Sequence, residues 1–207
     1  MHPNPVFRHA DRARCIAFAR ARGFGMLTMA GEDGPLASHI PFVMNAEGAR
    51  LFAHIVRSNP IWRALRAGPA KALLAVSGPD GYISPDWYGR PELVPTWNYV
   101  AVHLRGELRL RDEAEMRAHL DELSENFETR LLPKTPWTAD KMDPETLARL
   151  MRTIAPVEMS VDTADGTWKL GQNREEPARL AAAEALSVSE IGAGTAALAA
   201  LMRKPPV

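Results

Sequence analysis

Cysteine is nearly absent: Cys15 stands alone among 207 residues, so no internal disulfide can form and a fold stapled by bridges is excluded. Long apolar runs are missing too. The longest late run, Ala196 to Met202, falls far short of the roughly 18 residues a membrane span needs, so no membrane association is expected. Charge of one sign is lacking: 25 Lys and Arg balance 25 Asp and Glu, and no global field draws the chain to nucleic acid or anionic lipid. The opening MHPNPVFRHADRAR has no apolar core ahead of its arginines, which leads us to expect a cytoplasmic protein. Several motifs are missing as well. There is no Gly-x-Gly-x-x-Gly after a strand, no Walker loop and no Gly-x-Ser-x-Gly elbow, which removes support for Rossmann, nucleoside-triphosphate and serine-hydrolase classes. His39, His54 and His103 show no short ligand spacing and no cysteine pair accompanies them, so a metal site is discounted.

What is present describes an ordinary folded chain, 46% hydrophobic and 24% charged, long enough for one domain with an appendage. Seventeen prolines favour chain reversals and sheet edges over a helical bundle. A helix is expected from His9 to Arg22, closed by Gly23. Three antiparallel strands follow, at 24–30, 36–45 and 50–56, with a turn at Gly31-Glu32-Asp33-Gly34. Asn59 as N-cap and Pro60 at the first position start a short helix to Ala67. A buried strand over 70–77 should break at Gly78-Pro79-Asp80-Gly81. Residues 82–99 hold all three tyrosines and Trp87 and Trp97 among Pro85, Gly89, Pro91 and Pro95, as a packed loop would. A fifth strand over 97–111 carries a bulge or bend at Gly106, and helices cover 112–128 and a stretch opened by Asp143-Pro144-Glu145. Alternation at Val157, Met159 and Val161 gives a sixth strand before a turn at Asp165-Gly166. Two alanine-rich helices follow Arg174. Six strands with interspersed helices make this a β-rich α+β chain, a small closed or partly closed barrel with peripheral helices, divided into a domain over 1–173 and a C-terminal helical appendage over 174–207.

Arg57-Ser58-Asn59 sits where a strand ends and a helix begins. Unpaired N–H groups at a helix start and a guanidinium fork suit a phosphate; equally, Asn59 could only cap and Arg57 only face water. His54 shares the phase of Phe52 and Val56, so it either joins that pocket or packs as a core histidine. Ser38 and His39 lie on opposite faces of one strand, and one of them at most enters a given cleft. Trp97-Asn98-Tyr99 suits stacking on a planar heterocycle, or core packing. Lys169, Gln172 and Asn173 offer a cation and two amides to a phosphate or a carbonyl edge, or form a surface turn.

The blocks His54-Ile-Val-Arg57-Ser-Asn59-Pro60-Ile-Trp62, Tyr82-Ile-Ser-Pro85-Asp-Trp87-Tyr88 and Val94-Pro95-Thr96-Trp97-Asn98-Tyr99-Val-Ala-Val-His103 resemble the PaiB family of FMN-binding negative transcriptional regulators. Lys169-Leu-Gly171-Gln172-Asn173 is similar to that family's Lys-Leu-Ser-Gln-Asn, with glycine in place of serine. The resemblance implies a six-stranded split β-barrel like that of pyridoxamine-phosphate oxidases, working as a homodimer with FMN between subunits. By matching positions, His54, Arg57 and Asn59 would hold the phosphate side and Ser38 and His39 would border the flavin. Trp97, Asn98, Lys169, Gln172 and Asn173 would close the site from the partner. The functional readings are a dimeric regulator and, alternatively, an FMN-dependent oxidoreductase acting on a small molecule; heme binding or degradation ranks below both. Direct DNA binding has weak support, since residues 174–207 carry four basic and four acidic side chains, and only the opening helix, with five arginines against Asp11, is basic.

Overall fold

A computed structural model describes residues 1–89 and 92–206; Pro91 of the aromatic loop lies outside them. Six α-helices and seven strands occur among the described residues: α1 (Arg12–Arg22), β1 (Phe24–Gly31), β2 (Gly34–Met44), β3 (Arg50–Val56), α2 (Pro60–Leu65), β4 (Ala70–Ile83), β5 (Thr96–Leu110), α3 (Met116–Glu128), α4 (Pro144–Met151), β6 (Ile154–Ser160), β7 (Thr163–Lys169), α5 (Glu176–Ser187) and α6 (Thr195–Arg203). Hydrogen-bonded neighbours run β4-β1-β2-β3-β6-β5-β7, and β4 also pairs with β5, so six strands form a ring of pairings with β7 added on β5. The ring matches the six-stranded expectation, while the seventh strand was not foreseen. The chain packs as two compact units: Ala19–Ala75 with Leu104–Thr163, and Met1–Phe18 with Val76–His103 and Ala164–Val207.

In the 19–75/104–163 unit, β1 and β2 form the expected hairpin, with Met26 opposite His39 and Leu27 opposite Ser38. The strands of this unit bury one apolar face: Leu27, Phe42, Leu51, Leu74, Leu104, Leu108 and Met159, with Ile61 of α2, are almost fully enclosed, each burial contributing about 1.5–3 kcal/mol. β3 pairs with β6 from Arg50 opposite Ser160 to Val56 opposite Ile154. Gly106 is required by close approach, because a Cβ there would lie 1.7 Å from the Ser160 carbonyl oxygen of β6. Asp143 caps α4 by accepting from Thr146 N at 2.8 Å, with Pro144 at the first position.

In the other unit, α1 starts at Arg12 rather than His9 because the Asp11 carboxylate accepts from Arg14 N at 2.8 Å and caps it there. β4 does not break at Gly78-Pro79-Asp80-Gly81. Asp80 N donates to Ala193 O at 2.9 Å and Tyr82 N to Ile191 O at 3.0 Å, so the segment before α6 supplies the acceptors that keep the strand extended. β7 likewise runs straight through Asp165-Gly166, the expected turn. At Gly166 a Cβ would fall 2.1 Å from the Trp168 ring and 2.8 Å from Cys15 Sγ, so its missing side chain is room for a neighbour. α5 and α6 pack on each other, and the nearly buried Arg179 donates to the Met202 and Arg203 carbonyls at the end of α6, where a cation is favoured.

Candidate functional site

The ten side chains singled out in the sequence divide between the units. Ser38, His39, His54, Arg57 and Asn59 belong to the 19–75/104–163 unit. There the β3–α2 junction folds as its sequence dictates. Asn59 is extended and its Oδ1 accepts from Ile61 N at 2.8 Å, while Pro60 takes the first helical position. The other end of the same amide donates to Ser38 Oγ at 3.0 Å. One residue therefore caps the helix and fastens it to β2, and the Ser38 hydroxyl keeps its own proton to donate. Arg57 is anchored without being used up: its Nε donates to Arg152 O at 3.0 Å, and its Nη2 lies 2.7 Å from the exposed carboxylate of Glu113. Its guanidinium carbon stands 5.6 Å from the Trp62 ring and lines a cavity of about 390 Å³ whose other walls include Met116, Leu147, Met151 and Ile154. An ion pair with an exposed partner is worth little, so an incoming dianion can compete with Glu113 for the fork. His39 points away from Ser38, as strand alternation demands, and stands exposed beside Phe24 with ring centroids 6.1 Å apart.

His54 is half-buried on the face of β3 opposite the core, in phase with Phe52 and Val56. Its Nδ1 meets Nε2 of His119 at 3.2 Å. His119, on α3, was absent from the sequence-based set, yet a signal existed: Met116, His119 and Leu123 are the buried positions of α3, so this imidazole sits on the helix's apolar stripe. Burial, then the neighbouring His54 and the Arg111 cation, push the His119 pKa down to about 4; burial also lowers that of His54.

The remaining five residues lie in the other unit and are arranged differently. Asn98 is 1% exposed, with its Nδ2 3.5 Å from Met202 Sδ. Gln172 has both ends of its amide committed: Oε1 accepts from Leu170 N at 2.8 Å, and Nε2 donates to Trp168 O at 2.6 Å and Val6 O at 3.2 Å. These two amides hold their own unit together. Lys169 donates to the Thr96 hydroxyl and, at 2.7 Å, to Trp97 O; burial and the nearby Arg174 lower its pKa. Trp97 is 47% exposed and edge-on to Tyr82, and Asn173 faces solvent.

Residues 1–163 match the family described as "Putative FMN-binding domain". The chain belongs to this FMN-binding family. It is 31% identical over 178 residues to the protease synthase and sporulation protein PAI 2 of Bacillus subtilis, covering 85% of this chain and 84% of that protein. It is also 24% identical to an uncharacterized protein of Emericella nidulans, over 83% of this chain and 84% of the other. Among solved structures, the flavocytochrome Anf3 of Azotobacter vinelandii superposes with a TM-score of 0.59 at 16% identity, over 81% of this chain and 72% of that one. The FAD and heme binding protein of Mycobacterium smegmatis gives 0.55 at 18% identity, over 79% and 73%. These likenesses show the fold, that of split-barrel flavoproteins. The protein is thus a flavin-binding, PaiB-like protein with FMN as its cofactor. The donors around β3 and α2 fit that group: a guanidinium with unspent N–H bonds and a hydroxyl that already accepts are suited to an ester dianion, which only accepts.

Proposed function

We propose that the protein is a homodimeric, FMN-binding negative regulator of the PaiB type. Arg57, Ser38, His54 and the Asn59-capped start of α2 serve the phosphate side of the cofactor, His39 borders the flavin, and Trp97, Lys169 and Asn173 approach from a second copy, with Asn98 and Gln172 as their framework. The observation that carries this reading is the unspent donor set at the β3–α2 junction, in a chain of the FMN-binding family. A second copy is favoured by the outward face of the β1–β2 hairpin. Phe24 (42% exposed) and Met26 (37%) stand there beside Ala37 and His39, an apolar strip of the kind that marks an interface. The regulatory part rests on the kinship with PAI 2, a protein named for protease synthesis and sporulation. Direct DNA reading would fall to α1, where Arg12 is exposed and Arg14 partly exposed, while Arg20 donates to the carbonyls of Asn45 and Ala46.

Light scattering with an absorption spectrum tests the core of this reading. The expected result is a yellow species of twice 22.8 kDa that dissociates and loses flavin together when Phe24 and Met26 are replaced by Arg. A colourless monomer overturns it. Bleaching by a reduced nicotinamide under anaerobic conditions would transfer the assignment to the oxidoreductase class, in which the cofactor carries the redox chemistry. Indifference to nicotinamides, with promoter binding that weakens steeply with salt and with Arg12→Ala and Arg14→Ala, supports the regulator.

A further inference from the structure

The contact between His54 and His119 contains more than packing. The rings meet edge-on, 68° between planes, with Nδ1 of His54 3.2 Å from Nε2 of His119. His119 is 2% exposed, and its remaining nitrogen, Nδ1, is buried without a hydrogen-bond partner among the described residues. Burial lowers the pKa of both rings, reinforced at His119 by the neighbouring His54 and the Arg111 cation, so both are uncharged at neutral pH. An uncharged imidazole has one N–H and one lone pair, so a single proton lies in the contact and the two rings have only two arrangements.

In the first, His54 donates through Nδ1. His119 must then carry its own proton on Nδ1, a buried donor with nothing to accept it, and His54 offers a bare Nε2 outward. In the second, His119 donates through Nε2 to His54 Nδ1. Its enclosed Nδ1 is then a bare lone pair, and His54 carries its proton on Nε2. Orphaned buried N–H groups are rarer than under-used acceptors. The second arrangement also provides an outward donor, which is what a ligand rich in acceptor oxygens selects; the first would set lone pair against lone pair.

We propose that His119 is a positioning residue that holds His54 in the Nε2–H tautomer, making His54 a fixed hydrogen-bond donor to the acceptor oxygens of the bound cofactor. The statement about the cofactor rests on the FMN reading above; the statement about the tautomer does not. The α3 helix thereby acts on the ligand without touching it, in the way that the hydrogen bond on one imidazole nitrogen sets the role of the other.

The test is long-range ¹H–¹⁵N correlation of the imidazoles in flavin-free and FMN-loaded protein, with FMN affinity measured by quenching of flavin fluorescence. The expected wild-type spectrum shows His54 with a protonated Nε2 and an unprotonated Nδ1 in both states. His119→Gln places an amide N–H where Nε2 was, so it should keep that tautomer and bind FMN within about twofold of wild type. His119→Phe should leave His54 exchanging between tautomers and weaken FMN about tenfold, the size of one hydrogen bond to a charged acceptor. The proposal is overturned if wild-type His54 is protonated on Nδ1, or if the tautomer is unchanged in His119→Phe. The wild-type spectrum decides the point even if the Phe variant does not fold. Should the wild-type protein bind no FMN at all, the cofactor reading fails while the flavin-free spectrum still decides the role of His119.

Discussion

The two groups of polar residues in this protein look alike in sequence and behave differently in space. Around β3 and α2, Ser38, His54, Arg57 and Asn59 bond to their own unit through some of their atoms and leave other donors or acceptors unspent. In the other unit, Gln172 and Asn98 make their hydrogen bonds inward, and Lys169 gives two of its three N–H bonds to Thr96 and Trp97. An amide or cation in a recognisable motif is thus either a tool or a fastener. The distinction lies in whether its donors are already satisfied, since a buried group relinquishes an internal bond only at the cost of leaving its former partner unpaired.

Acid should have the largest effect, and it should act on the His54–His119 pair. An imidazole held at about 4 in the folded protein, against 6.5 unfolded, binds its proton first in the unfolded chain. Stability is therefore complete above pH 6.5 and declines as pH falls toward 4, by up to about 3 kcal/mol, and His119→Gln should flatten that decline. Urea titrations across this range measure it, and an equal slope in both proteins would contradict the assignment. Next comes Gln172→Ala, which strands Leu170 N, Trp168 O and Val6 O. It should cost about 2 kcal/mol of unfolding free energy while leaving the FMN affinity of the folded protein within about threefold. Arg57→Ala should do the reverse. Flavin titration should show binding weakened at least tenfold, with the melting temperature barely changed, because the partners it loses, the Glu113 carboxylate and the Arg152 carbonyl, are both exposed and can turn to water. The smallest effect belongs to Asn59→Ala, about 1 kcal/mol from the lost cap by chemical denaturation, together with a Ser38 hydroxyl set free to rotate. If Gln172→Ala lost flavin as readily as Arg57→Ala, the contrast between tool and fastener would vanish.

Local chemistry made the β3–α2 junction legible. Asn59, Pro60 and the alternation of Leu51, Ala53 and Ile55 act over a few residues, and each occupies the role its type suggests. The same local rules misread Gly78-Pro79-Asp80-Gly81 and Asp165-Gly166, where turn-forming residues lie inside strands. In the first case backbone partners come from 191 and 193, more than a hundred residues away; in the second the space beside Gly166 belongs to Trp168 and Cys15. His119 escaped notice because a lone histidine on a helix gains meaning only from the ring it faces.

From the sequence alone followed the hairpin, the capped helix start, the β-rich character and the kinship with FMN-binding proteins, since propensity, capping and motif spacing are properties of neighbouring residues. Only the tertiary structure decided which polar atoms remain available, where a seventh strand forms and which nitrogen of His54 is engaged. Those outcomes depend on hydrogen-bond partners brought together from distant parts of the chain, and no local window contains them.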